Sequence, residues 1–309
     1  MGQLYFFRWA CCVSLLLCIV PLAWHWQNKN TAACFLIIWL SIFNLCSFIN
    51  SFIWPDDIAV LTGWEGGIYC DIQIKILIAG FTGHLGAMAA IARNLAVILS
   101  DDAPVVRTRA VRRRELYKDL ALCLAVPILM MAVHYIVQPR RYTLVAITGC
   151  TAAVDRSWPT VVLIFIWPPI VALMAGYYAA LVVYRLHKHR RRFDALLSGN
   201  SSLNRPRFVR LFVLSMLLLL IFVPITFYVF VKNMNLQWLP YSWDAVHYGT
   251  GWMWIRKIPT NGYVNFDRWI PVGSGIIVFL IFGVGKDAMD LYRGWLSKIG
   301  IGKLGAILE

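Results

Sequence analysis

Charged residues are scarce in this chain of 309 residues. Only 14% of the residues are Asp, Glu, Lys or Arg, with just 15 acidic residues, whereas 60% are hydrophobic. A water-soluble domain needs more charge to cover its surface and cannot bury so large an apolar fraction. The composition therefore excludes an ordinary soluble protein and indicates a protein that resides in a lipid bilayer.

Several functional signatures are also missing from the long apolar stretches. None of them carries paired carboxylates or an HExxH motif, which argues against an intramembrane enzyme. They lack mid-membrane acids for proton or cation coupling and show no internal repeat, which argues against a transporter. The last stretch, residues 267–285, contains no lysine that could hold retinal, because Lys286 lies beyond its end. A seven-helix transporter or channel is kept as the alternative function.

Long apolar runs dominate what the sequence does contain. A hydrocarbon core about 30 Å thick is crossed by a helix of roughly 20 apolar residues. The first run is not a signal peptide, since it is too long, contains Arg8 and lacks a following small-residue cleavage site. We therefore predict an all-α membrane protein, a seven-transmembrane helix bundle with spans at residues 4–23, 33–53, 72–99, 116–137, 160–184, 208–231 and 267–285.

Lysine and arginine are distributed unequally between the two sides of this predicted bundle. Seventeen lie on the side that holds residues 24–32, 100–115, 185–207 and 286–309, and six lie on the other side. The positive-inside rule places the first side in the cytoplasm, with the N-terminus outside and the C-terminus cytoplasmic. The net charge of +14 is then explained by the membrane surface, and no nucleic acid is expected as a partner.

The cysteines give a second, independent expectation. Six of the eight lie inside predicted spans, where a thiol behaves as a small apolar residue. The other two face the oxidising side: Cys70 at the outer mouth of the third span and Cys150 in the loop after the fourth. We expect a disulfide between them that pins the second outer loop over the bundle, and two free thiols are the alternative.

Ionisable residues inside the spans are few, and each is a candidate for function because burial in hydrocarbon is costly. Lys75 follows Asp71 by four residues, so an ion pair along one helix face or a lysine reaching the headgroups is expected. His84 lies near mid-membrane, as a buried hydrogen-bonded histidine or a switch. Arg93 lies about 34 Å beyond Cys70 at 1.5 Å per residue, which places it at the cytoplasmic mouth.

Packing signals accompany these residues. Small residues three and four apart in the third span predict a central helix that its neighbours approach closely. Pro224 in the sixth span is a pivot or a static bend. The aromatic third outer loop, residues 232–266, is expected to form a partly buried lid. Nine tryptophans near the outer ends are expected mostly as an interfacial belt: Trp54, Trp64, Trp158, Trp167, Trp238, Trp243, Trp252, Trp254 and Trp269.

Nine short strings, read in order, resemble the fungal mating pheromone receptors of the a-factor type, a class D group of G-protein-coupled receptors. Two of them are Tyr69-Cys70-Asp71-Ile72, followed by Lys75, and His134-Tyr135-Ile136-Val137-Gln138. The others lie at residues 21–30, 48–56, 149–150, 166–168, 242–243 with His247, 282–288 and 292–293. Each string is short, but nine in family order over residues 21–293 are specific.

The resemblance implies a multi-pass plasma-membrane receptor, not an enzyme, with a receptor domain at 1–286 and a short cytoplasmic tail at 287–309. It implies a farnesylated peptide pheromone and the Gα subunit of a heterotrimeric G protein as partners, beside membrane lipid and a homodimer as an open option. No cofactor or metal is implied. The family often carries a longer polar tail, and it tends to cluster basic residues where this chain has only Arg93.

The matching strings, together with depth along each span, nominate site residues at both ends. Residues expected to bind the pheromone are Asp71, Lys75, His134, Tyr135, Gln138, Trp167, Trp243, Asp244, His247 and Trp269. Residues expected to contact the G protein are Arg93, Arg190, Arg191, Arg192, Arg207 and Arg210. The alternative is that the tryptophans are belt residues, the histidines satisfy loop carbonyls and the arginines serve only the anionic inner leaflet.

Overall fold

The apolar runs form long helices, since a helix satisfies its backbone polar groups internally where water is absent. The fold is that of a computed structural model, which describes residues 2–100, 108–189, 205–248, 252 and 254–298. In chain order the helices are α1 (Gly2–Gln27), α2 (Thr31–Ile53), α3 (Asp57–Thr62), α4 (Gly67–Ile98), α5 (Arg109–Val133), α6 (Trp158–Thr160), α7 (Trp167–Lys188), α8 (Arg205–Met234), α9 (Trp243–His247), α10 (Trp269–Phe282) and α11 (Lys286–Lys298). A 3₁₀ turn, His134–Val137, extends α5, and a π turn, Val161–Phe165, joins α6 to α7.

Six helical segments in the described ranges are long and apolar enough to cross a membrane. They are Gly2–Gln27, Thr31–Ile53, Gly67–Ile98, Arg109–Val137, Trp158–Lys188 and Arg205–Met234. The predicted seventh span corresponds to α10, whose 14 residues measure only about 21 Å at 1.5 Å per residue. This helix still packs against α1 and α2, through hydrogen bonds from Ser14 to the Val272 carbonyl and from Asn44 to the Pro271 carbonyl. The seventh crossing stays a prediction.

Several helices extend beyond the ends of the spans that the sequence predicts. The α1 helix continues to Gln27, so the predicted loop 24–32 shrinks to residues 28–30. Trp24 is buried there because its ring stacks on Phe282 at 5.8 Å. The α5 helix begins at Arg109 rather than at residue 116, behind Thr108, whose hydroxyl accepts from the Val111 N–H. Basic side chains can lie on such helix ends because their charged tips reach water while their stems cover apolar surface.

The prediction of a central third span is confirmed. The α4 helix is buried along most of its length and packs against α2, α5, α7 and α8. Its glycines face large or backbone neighbours: Gly80 lies against Phe43, Gly83 against the Trp39 indole, and Gly86 against the Leu122 carbonyl. A larger residue at Gly86 would separate α4 from α5, because its neighbour there is a backbone atom that no side-chain rotation can move.

One end of the bundle, which contains Cys70 and is called here the disulfide end, carries a small sheet. The strands are β1 (Thr143–Val145), β2 (Gly149–Thr151) and β3 (Arg256–Ile258). The β1 strand pairs antiparallel with β2 and parallel with β3, so the sheet joins the second and third outer loops of the sequence analysis. Tyr142, Leu144 and Cys150 are completely buried where these two loops pack together.

The hairpin between β1 and β2 is attached to the end of α2. Its turn places Gly149 at φ 78°, a left-handed conformation that glycine adopts without steric cost. The Asn50 side-chain amide donates to the Thr148 carbonyl at 2.7 Å, and the Ile147 N–H donates to the Trp54 carbonyl at 2.8 Å. The second outer loop is therefore a packed cap.

The aromatic segment 232–266, which was expected to form a partly buried lid, contains the helix α9 and the strand β3. Val246, His247 and Val264 are buried, whereas Tyr248, Tyr263 and Phe266 are at least 70% exposed. The prediction of a partly buried segment is confirmed, since one side packs on the bundle and the other carries exposed aromatic rings.

Candidate functional site

The predicted disulfide is present. Cys70 and Cys150 are bonded, with their Cα atoms 5.4 Å apart, inside the usual range for such a bridge. The bond joins the first turn of α4 to β2 and so holds the hairpin cap against the central helix. Two free thiols, the alternative, are excluded.

Asp71 does not form the expected ion pair with Lys75. Its carboxylate instead binds the guanidinium of Arg141, with Nε donating to Oδ1 at 3.2 Å and Nη2 donating to Oδ2. This hydrogen bond raises the pKa of Arg141 above its ordinary value, so the guanidinium stays charged. The sequence analysis missed Arg141 as a site residue, because nothing local relates residue 141 to residue 71.

Lys75 lies in a separate set of contacts between α4 and the end of α5. Its ammonium donates to Gln138 Oε1 at 2.9 Å and lies 3.0 Å from Nδ1 of His134, which is fully buried. His134 Nε2 lies 3.0 Å from the Ala153 carbonyl. An ammonium only donates, so Nδ1 must accept and the imidazole proton is assigned to Nε2. Lys75 is thus held by two neutral groups.

The same 3₁₀ turn contacts the aromatic segment on its other side. His247 Nε2 lies 2.9 Å from the Tyr135 carbonyl, and the His247 ring stacks on Trp243 with ring centres 3.8 Å apart. The Tyr241 hydroxyl donates to the Ile136 carbonyl at 2.9 Å. Burial, assisted by the Asp155 carboxylate, raises the pKa of Tyr241, so this donor keeps its proton. The turn therefore links α4 to α9.

The structure brings six of the ten nominated ligand residues together around this turn: Lys75, His134, Tyr135, Gln138, Trp243 and His247. A seventh, Asp71, lies at the mouth of α4 and binds Arg141. Both histidines also contact loop carbonyls, as the alternative expected. Trp167 packs in the apolar cluster beside Val137. Trp269 lies elsewhere, against Phe6 and Phe7 of α1, and Asp244 is exposed in the first turn of α9.

Trp54 does not belong to the interfacial belt that was expected for most of the tryptophans. This side chain is fully buried, stacks parallel to Trp64 at 5.9 Å and donates from Nε1 to the Trp64 carbonyl at 2.8 Å. Trp158, Trp254 and Trp64 itself are more than half exposed, as belt residues are. Hydropathy cannot separate these two roles, because both place tryptophan at the end of an apolar run.

One large aromatic side chain of α4 is exposed on the disulfide side of mid-helix. Phe81 is 55% exposed, although it shares a helix face with the buried residues Leu77 and His84. The His84 ring packs on Phe222 of α8 at 4.5 Å. Beyond Phe222, the described residues of α8 up to Met234 include no buried side chain. The exposed face of Phe81 is called here the Phe81 surface.

The opposite end of α4 carries a group of polar residues that we call the Arg93 cluster: Arg93, Asn94, Glu115 and Asp119. The Arg93 guanidinium binds the Glu115 carboxylate and lies 3.7 Å from Asp119 Oδ1. Asn94 donates to both Asp119 oxygens at 3.0 and 2.9 Å. Arg93 is only 8% exposed, so in this structure it joins α4 to α5 rather than facing outward.

Two other nominated arginines also contact the protein at this end. The Arg207 guanidinium lies 5.2 Å over the Trp24 ring, and that of Arg210 lies against Gly285. These contacts place the start of α8 beside α1 and the segment after α10. Arg190, Arg191 and Arg192 lie outside the described residues.

Comparison with known proteins identifies the family of this chain. The sequence profile of the pheromone A receptor family matches residues 6–300, nearly the whole chain. The chain belongs to the pheromone A receptor family.

Three relatives of this chain are fungal pheromone receptors. The pheromone a factor receptor of Saccharomyces cerevisiae is 34% identical over 97% of this chain and 62% of its own length. The pheromone B alpha 1 receptor of Schizophyllum commune is 30% identical over 93% of this chain and 46% of its own length. Pheromone receptor 1 of Mycosarcoma maydis is 30% identical, with 91% and 80% covered. The chain thus spans about half to two thirds of the first two relatives.

Proposed function

We propose that this chain is the receptor for a farnesylated peptide mating pheromone and that it activates a cytoplasmic heterotrimeric G protein from the plasma membrane. The observation that carries the proposal is the match to the pheromone A receptor family over residues 6–300, together with a relative named a pheromone a factor receptor. In this proposal the disulfide end faces outward and the Arg93 cluster faces the cytoplasm, in agreement with the distribution of Lys and Arg.

Two features of the disulfide end support a ligand with an apolar and a polar part. The Phe81 surface offers exposed apolar area on α4, and the turn His134–Val137 lies beside the polar side chains of Lys75, Gln138 and His247. A prenyl chain gains about 0.8 kcal/mol per buried CH₂ but gains as much in lipid, so it cannot by itself distinguish the receptor from the bilayer. The peptide part must supply that distinction through polar contacts, for which Lys75, Gln138 and His247 are the candidates.

The ligand assignment predicts a clear preference for lipidated peptides. Candidate mating peptides should bind the receptor in nanodiscs at least tenfold more tightly when farnesylated than when their cysteine is unmodified. The expected reason is that apolar burial adds to polar recognition rather than replacing it. Binding measured by displacement of a labelled farnesyl peptide tests this, with empty nanodiscs as the control for simple partitioning. Equal affinity of both forms contradicts a lipopeptide ligand.

The G-protein assignment concerns the basic end of the bundle. Basic side chains around an inner cavity steer an acidic partner toward it. Reversing charge at Arg191 and Arg192 to glutamate should lower pheromone-stimulated nucleotide exchange at least tenfold while pheromone binding stays near normal. Reversal at Arg256, which is exposed on β3 at the other end, is the matched control and should leave exchange unchanged. An equal loss of surface expression instead assigns these arginines to membrane topology.

A further inference from the structure

Within the part of the chain that the structure describes, the positive charge of Lys75 has no anionic partner in contact. The only acid near it along α4 is Asp71, one turn away, and both oxygens of that carboxylate are bound by Arg141. Asp71 and Arg141 therefore cancel each other in charge. The two groups that contact the Lys75 ammonium, His134 Nδ1 and Gln138 Oε1, are both neutral. Among the described residues, the Lys75 ammonium thus has no carboxylate in direct contact.

The ammonium also has a donor to spare. A lysine side chain carries three N–H donors, and two of them are used by His134 and Gln138. The third has no acceptor among the described residues of the protein. A half-buried ammonium in a medium of low dielectric gains most from an acceptor that is itself charged or strongly polar.

The surrounding contacts hold this donor in place. His134 is fully buried and Gln138 is 4% exposed. Each is anchored at its other end, His134 against the Ala153 carbonyl and Gln138 by donating to the Arg141 carbonyl at 2.7 Å. The geometry fixes the Lys75 amine before any ligand arrives, and a prealigned donor loses little entropy on binding.

We propose that Lys75 binds an oxygen acceptor, a carboxylate or carbonyl oxygen, on the polar end of the ligand. The assignment rests on the proposed function and names the chemical group that the receptor reads beside the prenyl chain. A lipid headgroup phosphate offers similar chemistry. The ligand is the better source, because the segment Ala153–Asp155 packs across the same turn, with the Asp155 N–H donating to the Val137 carbonyl at 2.7 Å.

Three small probes isolate the acceptor from the rest of a pheromone. N-acetyl-S-farnesyl-cysteine is used as the free acid, as the methyl ester, and as the reduced alcohol, which keeps the prenyl chain and the acetamide and lacks only the carbonyl of the carboxyl group. Binding is measured to the full chain in nanodiscs of neutral phosphatidylcholine. The wild type should bind the acid or the ester at least tenfold more tightly than the alcohol.

The variant Lys75→Met should lose this preference and leave the affinity for the alcohol unchanged, which also shows that it is folded. Lys232→Met is the matched control, since that lysine lies at the same end over the Tyr228 ring and should change no affinity. If Lys75→Met binds the three probes in the wild-type ratio, the assignment is overturned while the proposed function stands.

Two further outcomes separate the remaining explanations. If phosphatidic acid raises the melting temperature of the wild type but not of Lys75→Met, and the probe preference is the same in both, Lys75 is a lipid-headgroup site and the assignment fails. If no probe binds the wild type, the assignment is overturned, whereas the proposed function stands or falls with the farnesylated-peptide measurement above.

Discussion

Replacement of Glu115 by glutamine together with Asp119 by asparagine is expected to raise ligand-independent nucleotide exchange at least tenfold. The double change removes both carboxylates that contact Arg93, whose side chain is 9% exposed. An arginine left buried without an anion costs about 3–5 kcal/mol, so α4 and α5 are expected to separate until the guanidinium reaches water. Exchange on a purified G protein in the absence of pheromone measures the effect.

Controls distinguish a regulatory cluster from a purely structural one. Lys118→Gln removes a lysine that pairs with Glu115 at 2.9 Å and is 41% exposed, and such surface pairs contribute little. Basal exchange should not respond to it. Adding Arg93→Met to the double variant removes the unpaired charge and should restore the melting temperature. A lower melting temperature without any rise in basal exchange contradicts a role in signalling.

Replacement of Gly86 by alanine is expected to destabilise the helix bundle by about 1–3 kcal/mol or more, the usual cost of overpacking. A Cβ atom at Gly86 would overlap the carbonyl oxygen of Leu122, a backbone atom of α5 that no side-chain rotation can move. The two helices must then separate along their contact. The measurement is the melting temperature of detergent-solubilised receptor, with the amount at the cell surface as a second readout.

Gly176 supplies the matched control for this substitution. It lies within α7, and a Cβ added there would meet nothing within 4 Å. Gly176→Ala should be neutral or stabilising by up to about 1 kcal/mol, because alanine is the better helix former. A Gly86→Ala receptor as stable as wild type would mean that α4 and α5 approach less closely than described here.

The features that the sequence predicted are local or statistical ones. Hydropathy located the apolar centres of the six long helices, since each segment by itself must be long and apolar enough to cross about 30 Å of hydrocarbon. The small residues of α4 predicted that neighbouring helices pack closely against it. They did not predict that Gly86 contacts the backbone of Leu122. Cys70 and Cys150 were found by elimination, because the other cysteines lie in spans.

The partners of polar side chains depended on which helices meet. Asp71 has Lys75 one turn away, but the structure pairs it with Arg141, seventy residues on in the chain, and gives Lys75 to His134 and Gln138. The string that runs from His134 to Gln138 was visible in the sequence as one that resembles the family. Its role as the contact between α4 and α9 was not.

Burial at the ends of the helices was likewise decided by the tertiary fold. Trp54 and Trp64 read alike in sequence, and only the stacking of one on the other leaves the first fully buried and the second exposed. The sequence by itself determined a polytopic helical membrane protein of the pheromone receptor kind, because hydropathy and short motifs are properties of single segments. The tertiary structure decided which charges are paired and which side chains are covered, because those properties belong to contacts between distant segments.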